Sequence, residues 1–72
     1  MVMINVTLGI ALNDNTWYED TVTFECDPDF ENDSSFNLTE VAFKHLYSQK
    51  KDVMDQKNVS GAFLVFWEFQ ES

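Results

Sequence analysis

The strongest constraint on the fold is an alternation of side-chain type through the first dozen residues. Apolar side chains occupy every second position from Val2 to Leu12, and mostly polar or small residues lie between them. A period of two belongs to a β-strand, whose successive side chains point to opposite faces of a sheet. The sequence therefore predicts a strand at residues 2–12, in a sheet that buries one of its faces.

A turn and a second alternating segment follow directly. Residues 13–16 are Asn-Asp-Asn-Thr, a run of residue types that tolerate positive φ or form Asx turns, so we expect the chain to reverse here. Alternation resumes at residues 17–26, with Tyr18, Val22 and Phe24 on one side. This pattern predicts a second strand at residues 17–26, with one buried face and one face in solvent.

An acidic loop is predicted at residues 27–36, and a helix at residues 38–57. Asn37 is suited to the N-cap position and Glu40 stands three residues later, as in a capping box. Asn58 can adopt the left-handed conformation that ends many helices, and all four lysines of the chain fall between the two ends. The face expected to meet the core consists of Leu38, Val41, Ala42, His45, Leu46, Gln49 and Val53.

A last strand is predicted at residues 61–69, where the run from Ala62 to Trp67 is apolar on both faces. The element order ββαβ favours one small α+β domain over residues 1–72. Its mainly antiparallel three-stranded sheet would have the order 2-1-3, with one amphipathic helix on one face. In an alternative topology the last strand is central and parallel to the second, with both faces covered.

The order 2-1-3 leaves the last strand at an edge of the sheet. Long apolar edge strands are normally protected, so this order predicts a partner, most simply a second copy of the chain. The side chains expected at such a contact are Trp17, Phe63, Val65, Phe66, Trp67 and Phe69.

Charge narrows the classes of function. The chain has 13 acidic residues against four lysines and no arginine, for a formal net charge of −9. Surfaces that bind nucleic acid or anionic membranes need Lys and Arg, so neither ligand is expected to bind directly. At 44% hydrophobic and 15% aromatic residues, the chain is too apolar for a disordered acidic tail. We therefore expect a folded acidic protein whose partner is a larger, basic protein.

Seven carboxylates form what we call the acidic ridge: Glu19, Asp20, Glu25, Asp27, Asp29, Glu31 and Asp33. In an extended chain, alternate side chains recur about every 6.6 Å on one side, which resembles the charge pattern of a phosphate backbone. One hypothesis is that the ridge mimics nucleic acid and occupies a basic groove. The other is that it is a solvated loop that keeps the protein soluble.

Catalytic and metal-binding patterns are weak. Cys26 and His45 are the single cysteine and histidine, and no pattern supplies the third group of a nucleophile-base constellation. Asp27 begins a D-x-D sequence like that of a calcium loop, but Asn32 and Leu38 replace the required Gly and Glu. No enzyme, cofactor or metal site is predicted. Gly9 is expected to mark a bulge or a close approach of another group to the backbone.

In size, charge and lack of catalytic residues, the chain resembles small acidic proteins that phages and mobile elements make against host defence, such as anti-CRISPR and anti-restriction proteins. The resemblance is one of composition and covers no specific motif. It implies an inhibitor that occludes a nucleic-acid-binding site on a host protein. The alternative function is a self-associating structural or regulatory module that acts through the last strand.

The chain has a lone cysteine and no signal-peptide pattern, which predicts that the protein is located in the cytoplasm. If a phage encodes the protein, this would be the cytoplasm of the host cell.

Overall fold

The computed structural model of the protein describes residues 1–71. Its elements are strands β1 and β2, a short 3-10 helix, helices α1 and α2, and strand β3. In chain order their bounds are Val2–Leu12, Trp17–Cys26, Phe30–Asn32, Leu38–Gln49, Lys51–Lys57 and Val59–Phe69. The first two strands have the predicted bounds, and β3 begins two residues before the predicted 61–69.

The sheet has the order β2-β1-β3, and β1 pairs antiparallel with both neighbours. The helices pack on one face, so the predicted small α+β domain with sheet order 2-1-3 is confirmed. The alternative with the last strand central and parallel to the second is wrong. Because β1 uses the backbone hydrogen-bonding groups on both of its sides, β2 and β3 each keep one edge without a neighbouring strand.

The core lies between the sheet and the helices. Ile4, Val6, Leu8 and Ile10, at alternate positions of β1, have no exposed surface. Full burial of such a side chain stabilises the fold by about 1.5–3 kcal/mol, so the central strand is the main apolar element. The other buried hydrophobic side chains are Val22, Phe24, Cys26, Phe30, Ala42, Leu46 and Met54.

The helical segment differs from the predicted single helix at residues 38–57, because it is divided at Lys50, which has φ −131° and ψ 36°. In an uninterrupted helix of about 100° per residue, Val53 would lie within about 20° of Leu46 and would face the core. The break changes this phase, so Met54 is only 2% exposed whereas Val53 is 49% exposed. Lys50 Nζ lies 2.8 Å from Asp20 of β2, which ties the break to the sheet.

The two predicted ends of the helical segment are present. The side chain of Asn37 accepts a hydrogen bond from the Glu40 N–H at 3.0 Å, which caps α1. Asn58 has φ 56° and ψ 59° and ends α2 in the left-handed conformation. With 12 and seven residues, α1 and α2 are shorter than the about 20 residues that cross a bilayer. Residues 1–71 thus contain no candidate membrane-spanning helix.

A β-bulge interrupts β3. Leu64 pairs with Leu8 and Phe66 pairs with Thr7, the neighbour of Leu8, so Val65 is an extra residue on β3. Directly paired residues on antiparallel strands have their side chains on the same face of the sheet. The alternation of side chains along β3 therefore changes phase at the bulge.

This change of phase decides which aromatic side chains of β3 meet the core. Trp67 pairs with Val6 and lies on the helix side, whereas Phe66 lies on the opposite side of the sheet. In an unbroken strand, residues 63, 65, 67 and 69 would share one face and residues 62, 64 and 66 the other. Because of the bulge, neither set lies on a single face. The side chains on the helix side are Val59, Ala62, Leu64, Trp67 and Phe69, and those on the other side include Phe63, Phe66 and Glu68.

Candidate binding surfaces

Charge is unevenly distributed between the helical segment and the rest of the protein. Residues 38–57 contain all four lysines and three carboxylates, which gives them a formal charge of +1. The other ten carboxylates lie in parts of the sequence that contain no Lys or Arg, which gives those parts −10. The strands and the loop after β2 therefore form the acidic part of the molecule.

Each lysine also contacts a group on the helix side of the sheet or on the helices themselves. Exposed ion pairs of this kind stabilise a fold by only about 0–1 kcal/mol, but they fix where the positive charges lie. The pairs are Lys44 with Glu40 at 3.1 Å, Lys50 with Asp20 at 2.8 Å and Lys51 with Asp55 at 2.9 Å, and Lys57 lies 5.0 Å from the ring centre of Tyr18.

The acidic ridge is divided between three environments. Asp20 pairs with Leu8 and so faces the helices, where Lys50 partly neutralises it. Glu19 and Glu25 lie on the opposite face of the sheet, and the remaining four carboxylates lie in the loop after β2. The seven residues therefore do not form one continuous ridge.

The loop from Asp27 to Asp33 is folded rather than extended, so the 6.6 Å spacing expected for an extended chain is not present there. The carboxylate of Asp27 accepts a hydrogen bond from the Asp29 N–H at 2.9 Å, and a 3-10 helix begins at Phe30. The Phe30 side chain is only 6% exposed and its ring packs against Trp67 with 4.9 Å between centroids. Burial of this ring draws the loop into a compact turn with its carboxylates pointing outward.

Local hydrogen bonds favour the ionised form of one loop carboxylate. Asp33 accepts hydrogen bonds from the hydroxyl and the backbone N–H of Ser35, at 2.6 and 3.0 Å. These bonds, the one from the hydroxyl first, lower the pKa of Asp33 below its ordinary value. This carboxylate therefore stays ionised to a lower pH than an unperturbed aspartate.

We call the side of the sheet that faces away from the helices the open face. It contains three carboxylates, and no lysine of residues 1–71 lies on it. Its cross-strand rows lie about 6.6 Å apart. From one end to the other, the rows are Trp17, Ala11 and Gly61; Glu19, Gly9 and Phe63; Thr21, Thr7 and Phe66; Thr23, Asn5 and Glu68; and Glu25 with Met3.

The polar side chains at the centre of the open face are paired with one another. Thr7 Oγ1 and Thr21 Oγ1 are 2.8 Å apart, and Thr23 Oγ1 donates a hydrogen bond to Asn5 Oδ1 at 2.6 Å. Because these groups already have partners within the sheet, the carboxylates and the aromatic rings around them are the groups available to a ligand.

An aromatic pair lies at the end of the open face that is next to the turn between β1 and β2. A Cβ atom at Gly9 would overlap the Phe63 ring, so the ring lies directly over the glycine. The close approach predicted at Gly9 is thus made by Phe63. The Phe63 and Trp17 rings are 5.4 Å apart between centroids and are tilted by 60°. They are 44% and 54% exposed, so both rings are accessible.

Strand β3 exposes large apolar side chains along its length. Of the residues predicted for an apolar contact, Trp67 lies on the helix side, where it is partly buried and packs against Phe30. Phe66 is 55% exposed on the open face, and Val65 is exposed at the bulge. The exposed large apolar side chains of β3 are Phe63, Leu64, Val65, Phe66 and Phe69.

The single cysteine is buried, whereas the single histidine is exposed. Cys26 is buried, and that burial, with Asp27 nearby, raises the pKa of its thiol above the ordinary value. A raised pKa leaves less of the nucleophilic thiolate. His45 is exposed and its ring stacks on Phe24 at 4.5 Å. Residues 1–71 contain no group of three His, Cys, Asp or Glu side chains placed to hold a metal ion.

A depression of about 510 Å³ lies between the helices and the start of β3. The titratable side chains that line it are Tyr47 and Asp55. The carboxylate of Asp55 accepts hydrogen bonds from the Tyr47 hydroxyl and from Lys51 Nζ, which lower its pKa. A carboxylate held in the ionised form by two donors is a weak general base.

The sequence pattern placed some members of the open face and missed others. The alternation along β2 puts Trp17, Glu19 and Glu25 on one face, as observed. Glu68 was missed because its face depends on the bulge at Val65, which no local pattern signals.

No protein-family model, curated protein or solved structure matches the chain, so the candidate surfaces are defined by the geometry of the chain itself.

Proposed function

We propose that the protein is a small acidic inhibitor that binds a larger, basic protein and covers its nucleic-acid-binding site. The supporting observation is the separation of charge, with ten carboxylates outside residues 38–57 and no Lys or Arg among them. Carboxylates on such a surface can replace the phosphates that the target normally binds. The protein would act by binding, with no catalytic step, cofactor or metal.

The proposed setting is an encounter between a phage or mobile element and its host. In composition the chain resembles proteins of the anti-CRISPR and anti-restriction type, which act on host enzymes that handle nucleic acid. Such an inhibitor would act in the cytoplasm of the host cell, where the single Cys26 would remain reduced.

Electrostatics would determine how fast the complex forms. Complementary surface potentials can raise association rates to about 10⁸–10⁹ M⁻¹s⁻¹ at low salt, from about 10⁵–10⁶ without steering. The Debye length is about 10 Å at 0.1 M salt, so steering weakens as salt is added. A charge-guided inhibitor should therefore bind its target quickly and with a strong dependence on salt.

A capture experiment tests the proposal. Tagged protein would be immobilised, exposed to nuclease-treated bacterial lysate, and washed at low and then at high salt. We expect a basic nucleic-acid-binding protein that elutes with salt and that the inhibitor displaces from its nucleic acid in a purified assay. Recovery of the tagged protein alone, in a salt-resistant form, would contradict the proposal.

Two variants with the same net charge locate the contact. One replaces three carboxylates that make no turn hydrogen bond in residues 1–71 (Glu25→Gln, Asp29→Asn, Glu31→Gln), and the other replaces three on the helices (Glu40→Gln, Asp52→Asn, Asp55→Asn). At about 0.5 kcal/mol for each exposed charge pair, the first should lose roughly tenfold in affinity and the second little. Equal losses would mean that only net charge matters. Unchanged affinity after neutralising Glu25, Asp27, Asp29, Glu31 and Asp33 together would overturn the proposal.

The second candidate function is a self-associating module, which the exposed apolar side chains of β3 favour. A large exposed apolar surface is a common sign of a contact with another protein. Because the bulge at Val65 interrupts the strand edge, two copies would meet through side chains such as Phe66 rather than through one continuous backbone ladder. This candidate predicts a dimer in sedimentation at high micromolar concentration that Phe66→Glu dissociates. A monomer at that concentration would exclude it.

A further inference from the structure

We infer that the open face recognises arginine side chains of the target, through the ring pair of Trp17 and Phe63 with Glu19 beside it. This inference rests on the proposed function and adds the chemistry of the contact. In it, the loop from Asp27 to Asp33 contributes long-range attraction, and the open face distinguishes arginine from other cations.

Register places the three side chains together. Glu19 pairs with Gly9 and Gly9 pairs with Phe63, so all three belong to one row across the sheet. Gly9 has no side chain, and the Phe63 ring lies over it toward Trp17 in the next row. The result is an exposed aromatic surface with a carboxylate of the neighbouring strand in the same row.

This combination suits arginine better than lysine. A guanidinium group is planar, stacks on aromatic rings and can donate two parallel hydrogen bonds to a carboxylate. The ammonium group of lysine is compact and strongly hydrated, so it gains less from an exposed ring. Cations over aromatic faces are most favourable on Trp, and Trp17 is the more exposed ring of the pair.

Charge complementarity disfavours a second copy as the occupant of this face. The chain contains no arginine, and its lysines lie on the helix side of residues 1–71. Two open faces in contact would bring Glu19, Glu25 and Glu68 against their own copies with no compensating cation. A partner with basic and apolar side chains fits the same surface without that repulsion.

The size of the open face favours an extended segment over a globular surface. Five rows span about 26 Å, and the two outer strands lie about 10 Å apart. The open face is therefore long and narrow, a shape that suits a segment lying along the strands. The occupant we infer is therefore an arginine-containing segment of the basic target, lying along the strands from the aromatic end toward Glu68.

Two peptides of equal charge test the inference. Nona-arginine and nona-lysine would each be titrated into ¹⁵N-labelled protein at low salt and followed by two-dimensional NMR. We expect nona-arginine to bind about two- to fivefold more tightly. The largest shifts should occur at the Gly9 and Phe63 amides and at the Trp17 indole N–H.

Variants separate the aromatic contribution from charge. Trp17→Leu with Phe63→Leu should reduce the arginine preference to what Glu19 alone provides, and should lower the affinity for nona-lysine much less than that for nona-arginine. Trp17→Leu alone serves the same purpose if the double variant does not fold. Glu31→Gln, in the loop, should lower both affinities by the same factor and keep their ratio.

The outcomes also separate this inference from the proposed function. Equal affinities in the unmodified protein, or largest shifts within residues 27–33, would overturn arginine recognition and leave charge-guided inhibition intact. An arginine preference in the peptides, with no basic target recovered from lysate, would overturn the inhibitor proposal alone. Failure of both peptides to bind at low salt would contradict both.

Discussion

Strands β1 and β3 each have 11 residues, and both are rich in apolar side chains, yet their burial differs sharply. Leu8 of β1 and Leu64 of β3 are direct partners across the sheet. Leu8 has no exposed surface, whereas Leu64 is 41% exposed. The central strand is covered by both neighbours and by the helices, while the edge strand is covered on one side only.

Position in the sheet, more than composition, determines how much an apolar side chain contributes to the stability of the fold. The apolar residues of β1 stabilise the fold. Several of those on β3 contribute little to it, because they remain in contact with water. An apolar side chain that folding leaves exposed is available for binding, and this is why both proposals involve β3. Substitutions in the two strands should therefore differ in their effect on stability.

The largest difference should appear between the two paired leucines. Leu8→Ala removes a fully buried side chain and should lower the free energy of unfolding by about 3 kcal/mol, through lost burial and a residual cavity. Leu64→Ala should lower it by less than about 1 kcal/mol, because that side chain is already partly hydrated. Urea unfolding followed by circular dichroism measures both. Similar losses in the two variants would contradict the division between the strands.

Adjacent residues of β3 should also differ, since alternation puts Phe66 and Trp67 on opposite faces and the bulge at Val65 sets which of them meets the core. Trp67→Ala removes a ring that packs on Phe30 and should cost about 2 kcal/mol, less than for a fully buried aromatic residue. Phe66→Ala is a surface change and should cost no more than about 0.5 kcal/mol. Thermal and urea unfolding of the two variants test the position of the bulge, and a reversed order would place Phe66 in the core.

Gly9→Ala should change the open face more than it changes stability. The new methyl group would occupy the position of the Phe63 ring, which is half exposed and can rotate outward at a cost of about 1 kcal/mol. We expect the nuclear Overhauser contacts between Trp17 and Phe63 to disappear and the arginine preference to fall. Gly61→Ala, where a Cβ meets nothing within 4 Å, is the matched control. Ring contacts that persist in Gly9→Ala would show that the glycine does not determine where the ring lies.

The smallest effect concerns pH and the turn that joins β1 to β2. Hydrogen bonds from the Thr16 hydroxyl and N–H lower the pKa of Asp14 below its ordinary value of 3.8. A lowered pKa in the folded state means that the ionised carboxylate stabilises the fold above pH 3.8. That stabilisation is lost as the pH falls through the folded-state pKa.

Thr16→Val removes the hydroxyl donor and should raise the pKa of Asp14 toward 3.8. Carbon-13 NMR of the carboxyl groups measures this shift directly. Asp33, whose pKa is lowered by Ser35 in a different turn, is the internal reference and should not change. An unaltered Asp14 in the variant would mean that the backbone N–H alone is responsible.

Much of the fold was predictable because it depends on local patterns. The alternation of residues 2–12 identified the central strand, and the signals at Asn37 and Asn58 identified both ends of the helical segment. The sheet order followed from chain connectivity, since a hairpin and a return across a helix favour one arrangement.

The features that could not be predicted depend on contacts between distant residues. Residues 62–67 are apolar on both faces, so no alternation fixed their phase, and pairing with β1 decides where the bulge falls. The break at Lys50 has no signal in the helical periodicity, and beyond it Met54 rather than Val53 is buried. The compact loop depends on burial of Phe30 against Trp67, so its carboxylates could not be placed from their spacing in the sequence.

The confinement of the lysines to residues 38–57 also makes the molecule an electric dipole. Its negative end is the sheet and the loop after β2, and its positive end is the helical layer. In the field of a cationic surface such a dipole experiences a torque, so the protein would rotate during approach until the strands and the loop after β2 lead. Successful encounters would then be enriched in one orientation, with α1 and α2 pointing back into the solvent. A fluorophore or affinity tag attached to the exposed side of α2 should therefore leave the association rate unchanged.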